Sequence, residues 1–470
     1  MEAKSVHAEN DCQSHMHRLL LIPEILALVF SYLDPKSLSH IARVSRLWNA
    51  ASLDYLWQNL DQITGLLRVF GPVVAEDFYI FELVPDGSGN PQRFLDLAKK
   101  VRSLEQTLDS VIVKENWFNI IKSHFGAEID CIFPRLRHLQ WVATASSESL
   151  NRLFPFLCPP SIRTVRLTVV TRAMMKDDTF VNIFRAIGGV LSSSLTAFEV
   201  DFYPARYECD VSGRSEIAGA VTGAVAGWEN LTSLSLREIY IHPVHAELLL
   251  QGQLPLRRLL LSVLGSAGPS LSYVSDVVAQ YCTSLRCLHL CMDEMETAPI
   301  QFHHLAHLLA CRSLTELQIF HCRAIHIDTD AVHRMGDSWR DMEILNLVTT
   351  IDEAMNWVPP TPCCRLLDFA AAMPKLEKLG MFFSYTEVPP TLEHLYHTFQ
   401  RLRVLGVGPA VALPREVPRL GQFLRAICPP GAKIACSYDS LAEPVFNTDW
   451  KRTASRECWV EVQNMMDFGQ

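Results

Sequence analysis

The chain has 470 residues, 49% apolar and 20% charged, usage that buries a substantial core and is too apolar for a disordered chain. A formal charge of −9 gives no field for gathering polyphosphate, and no run of Lys and Arg forms a basic face, so nucleic acid is not an expected partner. No stretch nears the ~18 apolar residues of a membrane span, and the fourteen cysteines are too dispersed for a small disulfide scaffold and include no C-x-x-C pair. The expectation is a chain with reduced thiols, in cytoplasm or nucleus, that makes no use of a membrane.

In chain order, residues 1–18 are polar and without apolar periodicity, the pattern of a mobile tail. Between Pro23 and Leu33, apolar residues at Leu26, Val29, Phe30 and Leu33 follow the spacing of a helix with one buried face. Asp34-Pro35 then supplies an N-cap carboxylate and a first-turn proline for a second, short helix that presents Leu38, Ile41 and Ala42. A third segment starts at Ser45 and carries Leu47, Trp48 and Ala51 toward Leu53, Leu56 and Trp57. Three helices in about forty residues are too small for an independent core, so apolar surface left on them calls for a partner or a following domain.

The residues Leu21-Ile22-Pro23-Glu24-Ile25-Leu26, Val29-Phe30-Ser31-Tyr32-Leu33-Asp34-Pro35, Leu38, Val44-Ser45-Arg46-Leu47-Trp48 and Leu56-Trp57 closely resemble the F-box motif. Two departures are visible: Ile22 stands where the family usually has proline, with Pro23 one place later, and Ser45 stands where Cys is common. The resemblance implies that residues 19–61 dock onto the Skp-type adaptor of a cullin-RING ubiquitin ligase, through Leu21, Ile22, Pro23, Ile25, Leu26, Val29, Leu33, Pro35, Leu38, Val44 and Trp48. Ubiquitin transfer would then belong to other subunits, so no catalytic residue is expected here. An alternative from the same resemblance is a scaffold that binds the adaptor without assembling a ligase.

Residues 62–130 read as a linker plus an atypical capping repeat, with Val101, Leu104 and Gln106 as a degenerate first strand. From residue 131 to about 410 the pattern apolar-x-x-apolar-x-apolar recurs, starting at Leu136, Ile162, Leu195, Leu231, Leu256, Leu285, Leu314, Met342, Leu376 and Leu402. The spacing scatters around the upper end of the ~20–29 residues of a leucine-rich repeat. The last two apolar positions of each unit lie two apart, as a strand with one buried face requires. Between them, sets such as Phe180, Ile183, Phe184 and Ile187, or Val274, Val277, Val278 and Tyr281, have helical spacing. Such units bury their apolar faces only by stacking.

The array resembles the leucine-rich-repeat family, although the Asn or Cys placed after the strand is clear only at Cys322. The expected fold is therefore α/β: a three-helix F-box followed by an irregular leucine-rich-repeat solenoid with parallel strands on a concave side and helices on a convex one. Residues 411–470 are expected to form a C-terminal cap and tail, with Ile434, Cys436 and Tyr438 alternating as a last strand.

A target protein is the ligand expected for the strand face turned away from the buried leucines. That face is read to carry Arg166, Arg237, Arg258 and Lys378, with Phe320 and Phe382 as exposed aromatic anchors. No cofactor and no metal are expected. His303, His307 and Cys311 recur every four residues but are read as the solvent side of a helix, without the Glu of an H-E-x-x-H site. Cys287, His289 and Cys291 alternate along one strand and would hold a soft metal only if neighbouring strands added ligands. Gly406-x-Gly408 lacks the third glycine of a dinucleotide loop. A metal-dependent enzyme using the histidine clusters is the remaining alternative, testable by metal content.

Overall fold

The computed structural model describes residues 22–75, 80–84, 86–106, 112–113, 116–126, 131–144, 153–154, 156–170, 177–191, 194–203, 211–225, 227–252, 254–264, 267–292, 300–320, 325–347, 361–384, 397–407, 416–435 and 454–467. The chain divides into two compact units, one of Met1–Val170 with Gly189–Leu195 and one of Thr171–Gly188 with Thr196–Gln470.

Among the described residues, the first unit opens with three short helices, α1 (Pro23–Phe30), α2 (Pro35–Ile41) and α3 (Arg46–Leu56). Their ends are set by local chemistry. Pro23 and Pro35 occupy first-turn positions, where a missing N–H costs nothing. Asp34 Oδ1 accepts from Ser37 N at 2.7 Å, and Ser45 Oγ accepts from Trp48 N at 3.2 Å, each satisfying an otherwise orphaned helix donor. Asn49 Nδ2 donates to Ala42 O at 2.8 Å and ties α3 to the end of α2. Inside the cluster, Leu26, Phe30 and Leu38 are buried against Leu33, Ile41, Trp48, Ala51, Tyr55 and Leu56. The Phe30 and Trp48 rings meet edge to face at 6.0 Å.

The chain passes from α3 directly into β1 (Asn59–Leu60), which pairs in parallel with β2 (Ser103–Glu105). The pairing continues to β3 (His138–Thr144) and then to β4 (Thr164–Val170). Helices α4 (Thr64–Phe70), α5 (Pro91–Ala98) and α6 (Asn116–Phe125) occupy the intervening chain. The sheet thus begins inside the 19–61 segment and runs through the 62–130 segment read from sequence as linker and cap. A strand two residues long has no periodicity to display, so β1 left no pattern.

In the second unit, parallel pairing orders β5 (Ala197–Tyr203), β6 (Ser233–Ile241), β7 (Arg258–Val263), β8 (Cys287–Met292), β9 (Glu316–Phe320), β10 (Ile344–Asn346), β11 (Lys378–Gly380), β12 (Val404–Gly406) and β13 (Lys433–Ala435) side by side in chain order. Parallel neighbours need a crossover. Helix α7 (Asp177–Val190) precedes β5, and the crossovers are supplied by α8 (Val211–Val225), α9 (Pro243–Leu250), α10 (Ala267–Tyr281), 3₁₀ turns over 302–310, α11 (Thr329–Ser338), α12 (Leu366–Ala372) and α13 (Val417–Ile427). Phe184 and Ile187 of α7, and Val274, Val277 and Val278 of α10, are buried, as their spacing predicts.

All ten repeat starts, Leu136 through Leu402, are buried, and each lies two residues before its strand. Register converts this local offset into one core. Leu259, Leu288 and Leu317 stand side by side, as do Leu261, Leu290 and Ile319, all at most 1% exposed. Without the asparagines expected of the family, hydroxyls bridge several adjacent units: Ser161 Oγ donates to Leu136 O, Ser194 Oγ to Ile162 O and Ser284 Oγ to Leu256 O. A second buried position recurs three residues before several starts, at Phe133, Trp228, Cys282, Cys311, Trp339 and Met373, whose carbonyls accept from the start residues' N–H groups.

The last strand is an edge, which leaves backbone groups unpaired unless something covers them. Helix α14 (Ala454–Asp467) does so through Gln463, which accepts from Ile434 N at 2.6 Å and donates to Ala432 O at 3.3 Å. Cys322, Gly408, Cys436 and Tyr438 lie outside the described residues. Gly406 is a strand residue in register with Gly380 and Ala435.

Candidate functional site

Helix α1 is apolar on two sides. Leu26 and Phe30 point into the cluster, while Ile22, Ile25, Leu28, Val29 and Tyr32 are 36–82% exposed, joined by Val44 and Leu47 at 64% and 39%. A helix apolar all round is stable only when both sides are covered. Of the residues read from sequence as an adaptor contact, Ile22, Pro23, Ile25, Val29, Pro35 and Val44 are exposed, and Leu33 and Trp48 are half-buried. Leu26 and Leu38 are 0% and 4% exposed, so they shape the cluster from within and offer nothing to a partner. Leu21 lies outside the described residues. Leu28, Tyr32 and Leu47 are further exposed apolar residues that the sequence reading did not include; the second stripe Ile25, Leu28, Val29, Tyr32, at i, i+3, i+4 and i+7, was the available signal.

The strand residues opposite the leucines form the second candidate surface. Arg166 and Arg258 are exposed, and Lys378 is half-buried. Arg237 is half-buried and paired with Glu199 on the neighbouring strand at 3.6 Å. Phe320 and Phe382 are only 7% and 6% exposed. They are not the exposed anchors that strand alternation implied, because an alternating position specifies a sheet face and says nothing of what packs over it.

At the middle of this face, β8 and β9 bring four polar side chains together. Cys287 pairs in register with Glu316, and His289 with Gln318. His289 Nε2 lies 3.4 Å from Cys287 Sγ, 2.7 Å from Glu316 Oε1 and 3.0 Å from Gln318 Nε2. Cys287, His289 and Gln318 are each at most 9% exposed. Burial pushes the Glu316 carboxyl up, but the hydrogen bond and charge of His289, with hydrogen bonds from Gln318 and Cys287, outweigh it and hold the group at about 2. Cys291 stands one step further along, in register with Phe320.

The other histidine group does not converge. His303 and His307 fall on two 3₁₀ turns and Cys311 just past the second, rather than on one α-helix. Cys311 is fully buried, where desolvation pushes its thiol to about 11. His307 faces Asp276 at 3.1 Å, and the His303 ring packs on that of His304. No helix among the described residues is long and apolar enough to cross a membrane.

The F-box-like family model matches residues 23–63, which span α1, α2, α3 and β1. Residues 23–63 are therefore an F-box-like domain, followed by a leucine-rich-repeat-like α/β array. No curated protein sequence matches the chain. Similar solved structures include the yeast complex of Rad7 and Elc1, at 14% identity and TM-score 0.38 over 97% of each chain. Another is the leucine-rich repeat-containing protein LegL7 of Legionella pneumophila, at 14% identity and TM-score 0.33, covering 65% of this chain and 90% of that one. A third is the TLR13–ssRNA13 complex, at 11% identity and TM-score 0.37, covering 75% of this chain and 52% of that one.

Proposed function

We propose that the chain is a substrate-recruiting adaptor of a cullin-RING ubiquitin ligase of the SCF type, with the F-box-like domain docking a Skp-type adaptor and the repeat array holding a target protein. The observation that carries this reading is the outer stripe of α1. Ile22, Ile25, Leu28, Val29 and Tyr32 recur at helical spacing and are exposed, as are Val44 and Leu47, on a domain whose family match is F-box-like, and so many exposed apolar residues call for a protein partner. The chain then works without a catalytic residue of its own, by raising the effective concentration of target near the ubiquitin carrier.

The test is binding of the purified chain to a Skp-type adaptor, wild type against Leu28→Asp, Val29→Asp, with helical circular dichroism measured in parallel. Loss of binding with unchanged helicity supports docking through this stripe. Retained affinity removes it. Cullin copurification from cells then separates a working ligase subunit from a scaffold that binds the adaptor alone.

A further inference from the structure

We infer that Cys287, His289 and Glu316 form a binding site for a single borderline-soft divalent cation, zinc being the fitting ion, on the strand face opposite the buried leucines. The three ligand atoms all lie within 4.8 Å of one another, and they are brought there by backbone register. Cys287 and His289 are two apart on β8 and so share a face, while Glu316 is the register partner of Cys287 on β9. Parallel strands ~4.8 Å apart place such side chains around one small opening. The 23% exposure of the Glu316 side chain leaves that opening a way in for an ion.

The donor set is one that zinc takes: a thiolate, an imidazole nitrogen and a carboxylate, three protein ligands with a fourth position left to water. At zinc–ligand distances of ~2.0–2.3 Å, tetrahedral geometry needs ligand atoms ~3.3–3.6 Å apart. The 3.4 Å between Cys287 Sγ and His289 Nε2 already fits. The 2.7 Å between His289 Nε2 and Glu316 Oε1 must open by about 0.6 Å to reach that spacing, a small rotation of one flexible side chain.

A second observation comes from the hydrogen bonds. The Gln318 amide nitrogen lies 3.0 Å from His289 Nε2 and donates to Glu316 Oε1 at 2.5 Å. Turning the Gln318 amide around sets its oxygen 2.5 Å from Glu316 Oε1, oxygen against oxygen. Gln318 Oε1, on a side chain 4% exposed, makes no hydrogen bond to a described residue. A cation would give Gln318 Oε1 a donor: neutral His289 gives its Nε2 lone pair, Cys287 gives its thiolate after losing one proton to solvent, Glu316 gives a carboxylate oxygen, and Gln318 Oε1 accepts from the metal-bound water. No oxidant or reductant is needed, and the inference does not rest on the adaptor reading.

The test uses the purified full chain, stripped with a chelator and titrated with Zn²⁺ alone, then with Co²⁺ as a spectroscopic probe. The expected result is one zinc per chain and, with cobalt, a thiolate-to-metal charge-transfer band that disappears in Cys287→Ser and persists in Cys291→Ser. Glu316→Gln, nearly the same shape, is expected to weaken zinc by more than about tenfold, since even outer-shell changes reach that scale, while leaving the circular dichroism unchanged. Absence of stoichiometric zinc, or a cobalt band that survives Cys287→Ser, overturns the site.

Discussion

Leu317 stands in register beside Leu288, on neighbouring parallel strands of the repeat array, and the two are 1% and 0% exposed. This pairing makes each repeat's core the neighbour's core as well. Leu317→Ala is expected to cost about 2–5 kcal/mol, the range for buried leucines whose surroundings collapse only in part. Because stability in stacked repeats is shared between neighbours, hydrogen exchange should rise in β8 and β10 as well as in β9. An unchanged urea midpoint would remove the register assigned to this core.

The two sides of α1 should separate folding from the proposed docking. Leu26→Asp places a charge in the closed interior of the cluster, where an unpaired charge is not tolerated, so it should unfold the three helices. Val29→Asp, at a position 42% exposed, should leave helicity intact and weaken the adaptor by about tenfold or more, as loss of an interface anchor does. Circular dichroism and binding measured on the same two variants decide it. Equal behaviour would mean that α1 has only one functional face.

The start of α2 should weaken in acid. Asp34 has its carboxyl held below the usual carboxylate value, chiefly by the hydrogen bond from Ser37 N–H and then by the Ser37 hydroxyl. A depressed carboxyl contributes stability above its unfolded value and loses it as pH falls through its folded one. Amide exchange protection in α2 should therefore fall below about pH 4, the ordinary aspartate range. Asp34→Asn, which still caps, should remove the pH dependence while keeping the helix.

Gly336 marks a close approach of α11 to α12. A Cβ there would stand 2.6 Å from Ala372 Cβ and 2.7 Å from its carbonyl oxygen, so backbone would have to move. Alanine improves helix propensity by about 1 kcal/mol, but overpacking costs about 1–3 kcal/mol, and with backbone in the way the loss should win. Thermal unfolding of Gly336→Ala should fall, and adding Ala372→Gly should recover part of the drop. A stabilised single variant would show that the two helices have room between them.

Much of the fold was legible because its signals are local. The ten repeat starts could be found because a turn, a strand and two inward side chains keep a constant offset of two to five residues, whatever the length of the connector that follows. Asp34-Pro35 and Ser45 marked helix starts for the same reason, since a cap acts on donors two or three residues away. Local signals end where one side chain must be weighed against distant ones. Leu26 and Val29 are both apolar residues of one short helix, and periodicity alone could not say which of them is inside. Phe320 and Phe382 alternate with buried residues as exposed ones would, yet both are buried, and alternation carries no record of that.

The polar group at β8 and β9 shows the same division most clearly. Cys287 and His289 could be placed on one strand face from their spacing of two, but their third neighbour in sequence reasoning was Cys291, on the same strand. The residue that joins them is Glu316, from the next repeat. Sequence by itself determined that a strand begins at each of these places and which side chains alternate across it. Equal offsets from the starts Leu285 and Leu314 already align Cys287 with Glu316; tertiary structure alone decided that the Cys287, His289 and Glu316 side chains converge to within 4.8 Å, because rotamers depend on packing against neighbouring repeats, and that packing has no local record.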